Sequence, residues 1–179
     1  GFIVEFPKSF RSVTADEVRE LVKNLSPEIQ PVGVFVNASM ELVRSLLDDG
    51  TLAMAQLHGQ ENESYITELK AHTDKPVIKA FSIKTADDME NALQSPADYI
   101  LLDQGSGGTG KTFDWSLIPK IERPFFLAGG IGEENLEQAI REIHPFAVDL
   151  SSSVETEKWK DPTKIRQVVD IVRKMKETK

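Results

Sequence analysis

The chain has 179 residues, 40% of them hydrophobic and 28% charged, so it is long enough for one well-buried core and has an ordinary globular composition. Its formal net charge of -8 argues against a nucleic-acid or anionic-membrane surface, although a small anionic ligand needs only one arginine and a few backbone N–H groups. The lack of cysteine excludes disulfides, thiolate metal sites and cysteine nucleophiles, and with no apolar run of membrane-spanning length the composition suits the cytoplasm.

Short apolar runs alternate with amphipathic segments, which predicts alternating β-strands and α-helices. The runs are nearly continuous in Val, Ile, Leu and Phe, as expected of strands buried on both faces of a parallel sheet. Seven strands are predicted, at residues 1–6, 31–36, 51–57, 76–81, 98–103, 123–128 and 145–150. The clearest of about seven predicted helices lie at 14–24, 39–48, 62–71, 85–93, 133–142 and 162–176.

Two of the helix starts have the pattern of a capping box, at Thr14–Glu17 and Thr85–Asp88. The series of strand–helix units favours either an open doubly wound sheet or a (β/α)8 barrel. No break in composition marks a second domain, so residues 1–179 are predicted to form one. Seven units and a strand that begins at Gly1 suggest a barrel without its first strand and helix, which would leave two sheet edges unpaired.

The segment GSGGTGKT at 105–112 fits the nucleotide-binding signature G-x-x-x-x-G-K-[ST] letter for letter. Such a loop requires a long helix after it, but residues 113–118 run directly into Pro119. The nucleotide hypothesis is therefore disfavoured. Two alternatives stay open: a glycine-rich loop without a ligand, and a loop that closes over another phosphorylated ligand. The candidate contacts in the second case are Gly108, Thr109 and Lys111.

Polar residues follow the last two predicted strands, where (β/α)8 barrels bind phosphate. One strand ends in Ala128-Gly-Gly-Ile131 and the next in Asp149-Leu-Ser-Ser-Ser153. Paired glycines let backbone N–H groups approach an anion, and serine hydroxyls add donors. The alternative is that Gly129 and Gly130 simply make a tight strand-to-helix turn.

Other strand ends carry candidate groups for catalysis and binding. Asp103 ends an otherwise apolar strand, where partial desolvation raises a carboxyl pKa and suits it to donate a proton; alternatively it only accepts bonds from the next loop. Gln56 and His58 end another strand, although a lone histidine is more often structural. Arg11 follows the first strand, either to hold a carboxylate or as an ordinary solvated side chain. Lys79 lies mid-strand, and its role is open.

The motifs occur in a characteristic order along the whole chain. They are GF-x₄-PKSFR, VGVFVN, QLHG, GGTGKTFDW, LAGGI-x-x-EN and PFAVDLSSSVET. In this order they closely resemble the phosphoribosylanthranilate isomerase family of tryptophan biosynthesis, which has the (β/α)8 fold. GGTGKTFDW also argues against the related indole-glycerol-phosphate synthases.

The resemblance implies an Amadori rearrangement of N-(5-phosphoribosyl)anthranilate to 1-(2-carboxyphenylamino)-1-deoxyribulose 5-phosphate, without metal or organic cofactor. It implies that Asp103 is the general acid, that Arg11 binds the anthranilate carboxylate and that Asp149 lies near the ribose hydroxyls. The implied phosphate-binding residues are Gly129, Gly130, Ser152 and Ser153.

Two departures from the family pattern affect these expectations. The family's general base is a cysteine in a K-[IV]-C-G segment on its first strand, and these residues contain neither. The chain alone is therefore expected to be inactive and to need a complementing amino-terminal segment; the alternative is a non-catalytic phosphosugar-binding fragment. Ser153 stands where the family has glycine, which would narrow the turn or demand a positive φ of a serine.

Overall fold

The computed structural model describes residues 1–104 and 114–177. Its contacts divide the chain into two compact units, each assembled from two stretches of sequence. Unit 1 comprises Gly1–Ala80 and Gln94–Ile100, and unit 2 comprises Phe81–Leu93 and Leu101–Lys179. The prediction of one domain stays a prediction.

Unit 1 contains parallel strands whose side chains are largely apolar. They are β1 (Phe2–Val4), β2 (Ser12–Val13), β3 (Val32–Phe35), β4 (Met54–Leu57) and β5 (Val77–Ser82), of which the last leaves the unit after Ala80. The order of neighbours is β2-β1-β3-β4-β5. Register is set by pairs such as Val34 with Gln56 and Gln56 with Ile78. The carboxyl ends of these strands therefore lie at one edge of the unit's sheet.

Three helices cover the strands of unit 1: α1 (Ala15–Val22), α2 (Met40–Asp48) and α3 (Glu63–His72). Each begins at a residue whose side-chain oxygen accepts an N–H of the first turn, namely Thr14, Ser39 and Asn62. Their apolar faces pack with the strands into one buried cluster. It includes Val18, Phe35, Val43, Leu46, Leu47, Leu57, Ile66, Leu69 and Val77.

The capping box of α1 has both of its reciprocal bonds. Thr14 Oγ1 accepts the Glu17 N–H at 3.2 Å, and Glu17 Oε2 accepts the Thr14 N–H at 2.7 Å. We expect Thr14→Ala to lower the free energy of unfolding by about 1 kcal/mol, measured by urea denaturation. Thr67→Ala, at an exposed site inside α3, is the matched control and should not destabilise the protein.

The capping box of α1 should also depend on pH. The backbone and side-chain hydrogen bonds from Thr14 hold the pKa of Glu17 below its ordinary value. The box therefore stabilises the fold above that ordinary pKa, and the contribution is lost as the pH falls through the lowered one. Equal stability losses for Thr14→Ala at neutral pH and in strong acid would contradict this explanation.

Unit 2 contains three parallel strands and a short antiparallel hairpin. The strands are β6 (Tyr99–Asp103, from Leu101 onward), β7 (Phe125–Leu127) and β8 (Ala147–Val148), with neighbours in that order. The hairpin pairs β9 (Glu155–Thr156) with β10 (Trp159–Lys160). The α-helices are α4 (Ala86–Gln94), α5 (Leu136–Ile143) and α6 (Pro162–Glu177). Thr85 and Asp88 exchange the hydrogen bonds of the predicted capping box at the start of α4.

The interior of unit 2 is formed by its strands and by the inner faces of its helices. Leu101, Leu102, Leu127, Leu136 and Ala139 are fully buried. The long helix α6 is less buried than its apolar pattern suggests. Val168 is 8% exposed, whereas Ile165 and Val169 are 38% and 39% exposed.

All seven predicted strands are present, although most are shorter than predicted at one or both ends. The two-residue strands β2, β9 and β10 were not predicted, because pairs of residues in polar segments carry no periodic signal. Within residues 1–104 and 114–177 there are six α-helices, against about seven predicted. In the described residues 114–118, just before Pro119, the chain forms a 3₁₀ turn at Trp115–Leu117 rather than an α-helix, as expected from the position of the proline. Throughout the described residues no helix is both long and apolar enough to cross a membrane.

Candidate active site

Asp103 ends β6 and lies half-buried against Gly129, which follows β7. A Cβ on Gly129 would lie 2.6 Å from Asp103 Oδ1, so the space beside this carboxylate exists only because position 129 has no side chain. The Ala128 N–H donates to Leu102 O at 2.8 Å and keeps the two strand ends in register. The predicted proton donor and the first glycine of the predicted phosphate turn are therefore neighbours.

The turn after β7 has a backbone that favours glycine. Gly129 and Gly130 have φ values of 79° and 70°, in the left-handed region. Asn135 closes the turn, since its Nδ2 donates to Gly130 O and its Oδ1 accepts the Gly132 N–H, both at 2.9 Å. The segment is thus a tight strand-to-helix turn leading into α5. A tight turn was the alternative interpretation of the two glycines in the sequence. It is compatible with anion binding, because backbone N–H groups of such turns also bind anions.

Asp149 and the serine run follow β8. The Asp149 N–H donates to Leu127 O at 2.8 Å, so Asp149 lies at the same end of the strands of unit 2 as Asp103. Ser151 leads into a 3₁₀ turn, Ser152–Val154. Lys160 donates to Ser151 O and pairs with the buried Glu155 carboxylate, both at 2.8 Å, and so fixes the start of this turn.

Ser153 does not carry the backbone strain expected of it. It lies inside the 3₁₀ turn and is not one of the residues with positive φ. The expectation of a positive φ is therefore wrong, because the chain closes this turn in a helical conformation that a serine adopts without penalty. Ser152 and Ser153 are both exposed.

The segment after the serine turn is held by Asp161 at the start of α6. Its carboxylate accepts the Thr156 hydroxyl at 2.7 Å and the Thr163 N–H at 2.8 Å. Hydrogen bonds from the Thr156 side chain and from the backbones of Thr163 and Lys164 hold the pKa of Asp161 below its ordinary value. The carboxylate is therefore ionised at neutral pH and links the hairpin to the helix.

In unit 1, Arg11 lies in the loop between β1 and β2. Its guanidinium lies 4.4 Å from the centre of the Phe10 ring, and its backbone N–H donates to Ser9 Oγ at 3.2 Å. Phe10 is 67% exposed, so the stacked pair lies at the surface. Stacking on an aromatic ring restricts the orientation of a guanidinium, and its planar set of N–H donors matches the geometry of a carboxylate.

Gln56 and His58 lie together at the carboxyl end of β4. Gln56 is buried, His58 is exposed, and Gln56 Nε2 lies 3.1 Å from His58 Nδ1. With the amide N–H donating to Nδ1, a neutral ring carries its proton on Nε2, so the ring is a hydrogen-bond donor at that nitrogen. The structure thus brings together two candidates that the sequence placed two residues apart.

Lys79 and Glu61 form a buried ion pair beneath the same strand end. Lys79 Nζ lies 3.0 Å from Glu61 Oε2, and the two side chains are 7% and 2% exposed. Sequence reasoning left Lys79 open and missed Glu61. The available signal was the lysine itself, because an ammonium inside an apolar strand requires a buried counter-charge.

The remaining candidates, Gly108, Thr109 and Lys111, lie outside the described residues. Among the residues that are described, no cluster of three or more His, Asp or Glu side chains is arranged to hold a metal ion. Unit 1 therefore holds Arg11, Gln56 and His58 of the predicted residues. Unit 2 holds Asp103, Gly129, Gly130, Asp149, Ser152 and Ser153.

Residues 2–171 match the family model described as N-(5'phosphoribosyl)anthranilate (PRA) isomerase. The chain belongs to the PRA isomerase family. The N-(5'-phosphoribosyl)anthranilate isomerase of Endomicrobium trichonymphae is 44% identical over 155 residues, which are 84% of this chain and 76% of the relative. This family consists of isomerases of tryptophan biosynthesis.

Solved PRA isomerase structures have the same fold. The enzyme from Thermotoga maritima superimposes with a TM-score of 0.84 at 36% identity, over 96% of this chain and 86% of that one. A PRA isomerase in complex with reduced 1-(o-carboxyphenylamino)-1-deoxyribulose 5-phosphate gives a TM-score of 0.78 at 32% identity, with the same coverage. These neighbours are (β/α)8 barrels, so the predicted fold class is confirmed. That the first strand and helix of the family are missing stays a prediction.

Proposed function

We propose that this site serves the isomerisation of N-(5-phosphoribosyl)anthranilate to 1-(2-carboxyphenylamino)-1-deoxyribulose 5-phosphate, with the general base supplied by a further segment. Family membership supports the reaction, and the contact between Asp103 and Gly129 is the observation that carries the proposed mechanism. It sets a carboxyl group beside a glycine turn of the kind whose backbone N–H groups bind anions, as an acid acting on a sugar phosphate requires. The cytoplasmic location predicted from the composition also stays a proposal.

In this mechanism Asp103 donates its proton to the ring oxygen of the ribose. The C1'–O bond breaks, and the anthranilate nitrogen supplies the electron pair that makes the C1'–N double bond. A general base then removes the proton from C2', which gives an enol. Tautomerisation places a proton on C1' and leaves a ketone at C2', so the reaction moves hydrogen within one molecule and needs no external oxidant.

The other residues bind the substrate in this proposal. Arg11 pairs with the anthranilate carboxylate, and Asp149 accepts hydrogen bonds from the ribose hydroxyls. The phosphate is held by backbone N–H groups at Gly129 and Gly130 and by the hydroxyls of Ser152 and Ser153. His58 donates from Nε2 to a substrate oxygen, with its ring oriented by Gln56.

None of the residues named above acts as the general base in this mechanism. The family resemblance implies a cysteine, and the 179 residues contain none. We propose that a segment carrying K-[IV]-C-G provides it. The test compares the chain alone with an extended form, in which the first strand and helix of a relative precede Gly1.

Turnover in the extended form and not in its Cys→Ala variant is the expected result. A non-catalytic phosphosugar-binding fragment predicts instead that the product binds to both forms and that neither turns over substrate. Turnover by the unextended chain would show that another residue acts as the base. Absence of both turnover and product binding would contradict the proposed function.

Arg11 provides a prediction about substrate affinity. Arg11→Lys keeps the charge but loses the planar pair of donors, so we expect KM to rise about 10-fold with kcat little changed. The control is Arg141→Lys, at an exposed site on α5 where the arginine pairs with Glu137 one helical turn earlier. Equal KM values for the two variants, in steady-state assays of the extended form, would show that Arg11 does not bind the substrate carboxylate.

A further inference from the structure

Two charged side chains are buried beneath the carboxyl end of β4. Lys79 and Glu61 have 7% and 2% of their side-chain surface exposed. Removing two such charges from water costs several kcal/mol per ion, and a well-packed apolar pair of similar volume is often at least as stable. Global stability alone is therefore a weak explanation for this pair, and its local contacts point to another role.

The pair binds the backbone on either side of His58 and the turn beside it. Lys79 Nζ donates to Gly59 O at 2.7 Å and to Leu57 O at 3.3 Å. Glu61 Oε2 accepts the Gly59 N–H at 2.9 Å. The residue before His58 and the residue after it are thus both held by one ion pair.

The same carboxylate joins this loop to the end of the neighbouring strand. Glu61 Oε1 accepts the Asn37 N–H at 2.6 Å, and Asn37 Oδ1 accepts the Gln60 N–H at 2.7 Å. The loop backbone at Gly59 packs closely against Asn37, because a Cβ on Gly59 would lie 2.5 Å from Asn37 Oδ1. The His58 N–H donates to Phe35 O at 2.7 Å. Residues 57–61 are therefore fixed against both flanking strands of unit 1.

The exposed His58 ring is then fixed from a second direction by Gln56. The ion pair sets the position of the His58 Cα, and the Gln56 amide sets the orientation of the ring. Both constraints come from buried groups, while the ring itself faces outward. This arrangement is that of a positioned functional side chain supported by a layer of hydrogen bonds.

We propose that Glu61 and Lys79 are positioning residues that act through His58 in the isomerisation. The inference rests on the proposed function, and it adds two residues whose effect on turnover requires the histidine. A loop shift of about 1 Å is enough to reduce catalysis about 100-fold in well-organised sites, so loosening this support should be measurable.

The working variant is the double substitution Glu61→Gln with Lys79→Met, which removes both charges and nearly conserves volume. A single substitution would leave one buried charge unpaired and threaten folding. In the double variant the methionine cannot donate to Leu57 O and Gly59 O. The amide introduced at position 61 has one accepting oxygen, so its two polar atoms cannot accept the Asn37 and Gly59 N–H groups separately, as the carboxylate does.

Turnover is measured with and without His58→Ala in the extended form. We expect the double substitution to lower kcat/KM about 10-fold or more when His58 is present, and less than about 2-fold when it is alanine. A purely structural role predicts the same loss in both backgrounds. Equal losses, or no loss with His58 present, would overturn the proposal.

The matched control is Lys70→Met. Lys70 pairs with Asp98 at 2.6 Å and donates to Pro96 O at 3.0 Å, so it is another lysine–carboxylate pair that holds backbone in unit 1. It lies near the amino ends of the strands, since Asp98 also accepts the Val77 N–H where β5 begins. Lys70→Met should lower stability and leave kcat/KM unchanged.

A second readout needs no activity. The chain has three histidines, and ¹⁵N ring spectra of the 179-residue chain report the tautomer and environment of each. Shifts of the His58 signals in the double variant, with those of His72 and His144 unchanged, are the expected result. Unchanged His58 signals would overturn the positioning role. A wild-type extended form without turnover would instead reject the proposed function, whereas the spectra would still show whether the Glu61–Lys79 pair positions the His58 ring.

Discussion

Asp103→Asn should reduce kcat about 10²–10⁴-fold in the extended form, because it removes the group that protonates the ribose ring oxygen. The asparagine has nearly the same volume beside Gly129, so binding of the product, measured by calorimetry, should change little. The reaction should stop before ring opening rather than at substrate binding. Unchanged turnover would show that Asp103 is not the acid.

The matched control for this substitution lies at the other end of the same strand. Asp98 immediately precedes β6, and its carboxylate accepts the Val77 N–H and pairs with Lys70. Asp98→Asn should therefore lower the melting temperature while kcat stays at the wild-type value. Comparison of the two variants separates a role in the chemistry from a general sensitivity of β6 to the loss of a carboxylate.

Gly129→Ala should reduce kcat/KM about 100-fold, because the new Cβ and the Asp103 carboxylate cannot occupy their present positions together. The Cβ would lie 2.6 Å from both Asp103 Oδ1 and Gln104 N, closer than real Cβ contacts. The backbone at φ 79° adds a conformational cost of about 1 kcal/mol for any side chain. Both the acid and the proposed phosphate turn are therefore displaced.

Gly50→Ala separates the effect of the contact with Asp103 from the conformational cost of a side chain at positive φ. Gly50 has φ 76°, nearly that of Gly129, but a Cβ there would meet no atom of the described residues within 4 Å, apart from its chain neighbours. The Gly50→Ala variant should lose about 1 kcal/mol of unfolding free energy, measured by urea denaturation, and keep the wild-type kcat/KM. If Gly129→Ala also kept its activity while losing stability, the contact with Asp103 would have no catalytic importance.

The fold was predictable because the strands are short apolar runs with clear ends. The sequence YILLD gives both the buried body of β6 and the polar residue that ends it, so Asp103 was placed correctly from its neighbours alone. The glycine pair likewise indicated a tight strand-to-helix turn as one of two alternatives, and both residues have positive φ. These features depend on residues close together in the sequence.

The buried support of His58 was not predictable in the same way. Glu61 stands among polar residues at the start of α3, where a glutamate usually faces solvent. Its burial depends on Lys79, which arrives on a later strand, and on the N–H groups of Asn37 and Gly59. Contacts between residues so far apart in sequence leave no local periodic pattern, and the lysine within PVIKAF, whose role was left open, was the one local signal of a buried partner.

Ser153 shows the opposite error, in which a family pattern suggested strain that the chain avoids. A serine in place of glycine predicted a narrowed turn or a positive φ, but the residue lies in a 3₁₀ turn. The support that Lys160 and Glu155 give to this turn comes from the unpredicted strands β9 and β10. Two-residue strands in a polar segment are formed by such tertiary contacts rather than by propensity.

Following the carbon atoms of the substrate distinguishes the isomerisation from hydrolysis and from no reaction. N-(5-phosphoribosyl)anthranilate labelled with ¹³C at C1' and C2' is incubated with the extended form in deuterated water and observed by NMR. We expect the C1' signal to change from that of a carbon bonded to both N and O to that of an amino-substituted CH₂ or CHD group, while C2' becomes a ketone. Both changes should disappear in Asp103→Asn. Signals that stay those of the substrate, or a C1' signal that becomes that of free ribose 5-phosphate, would contradict the proposed isomerisation.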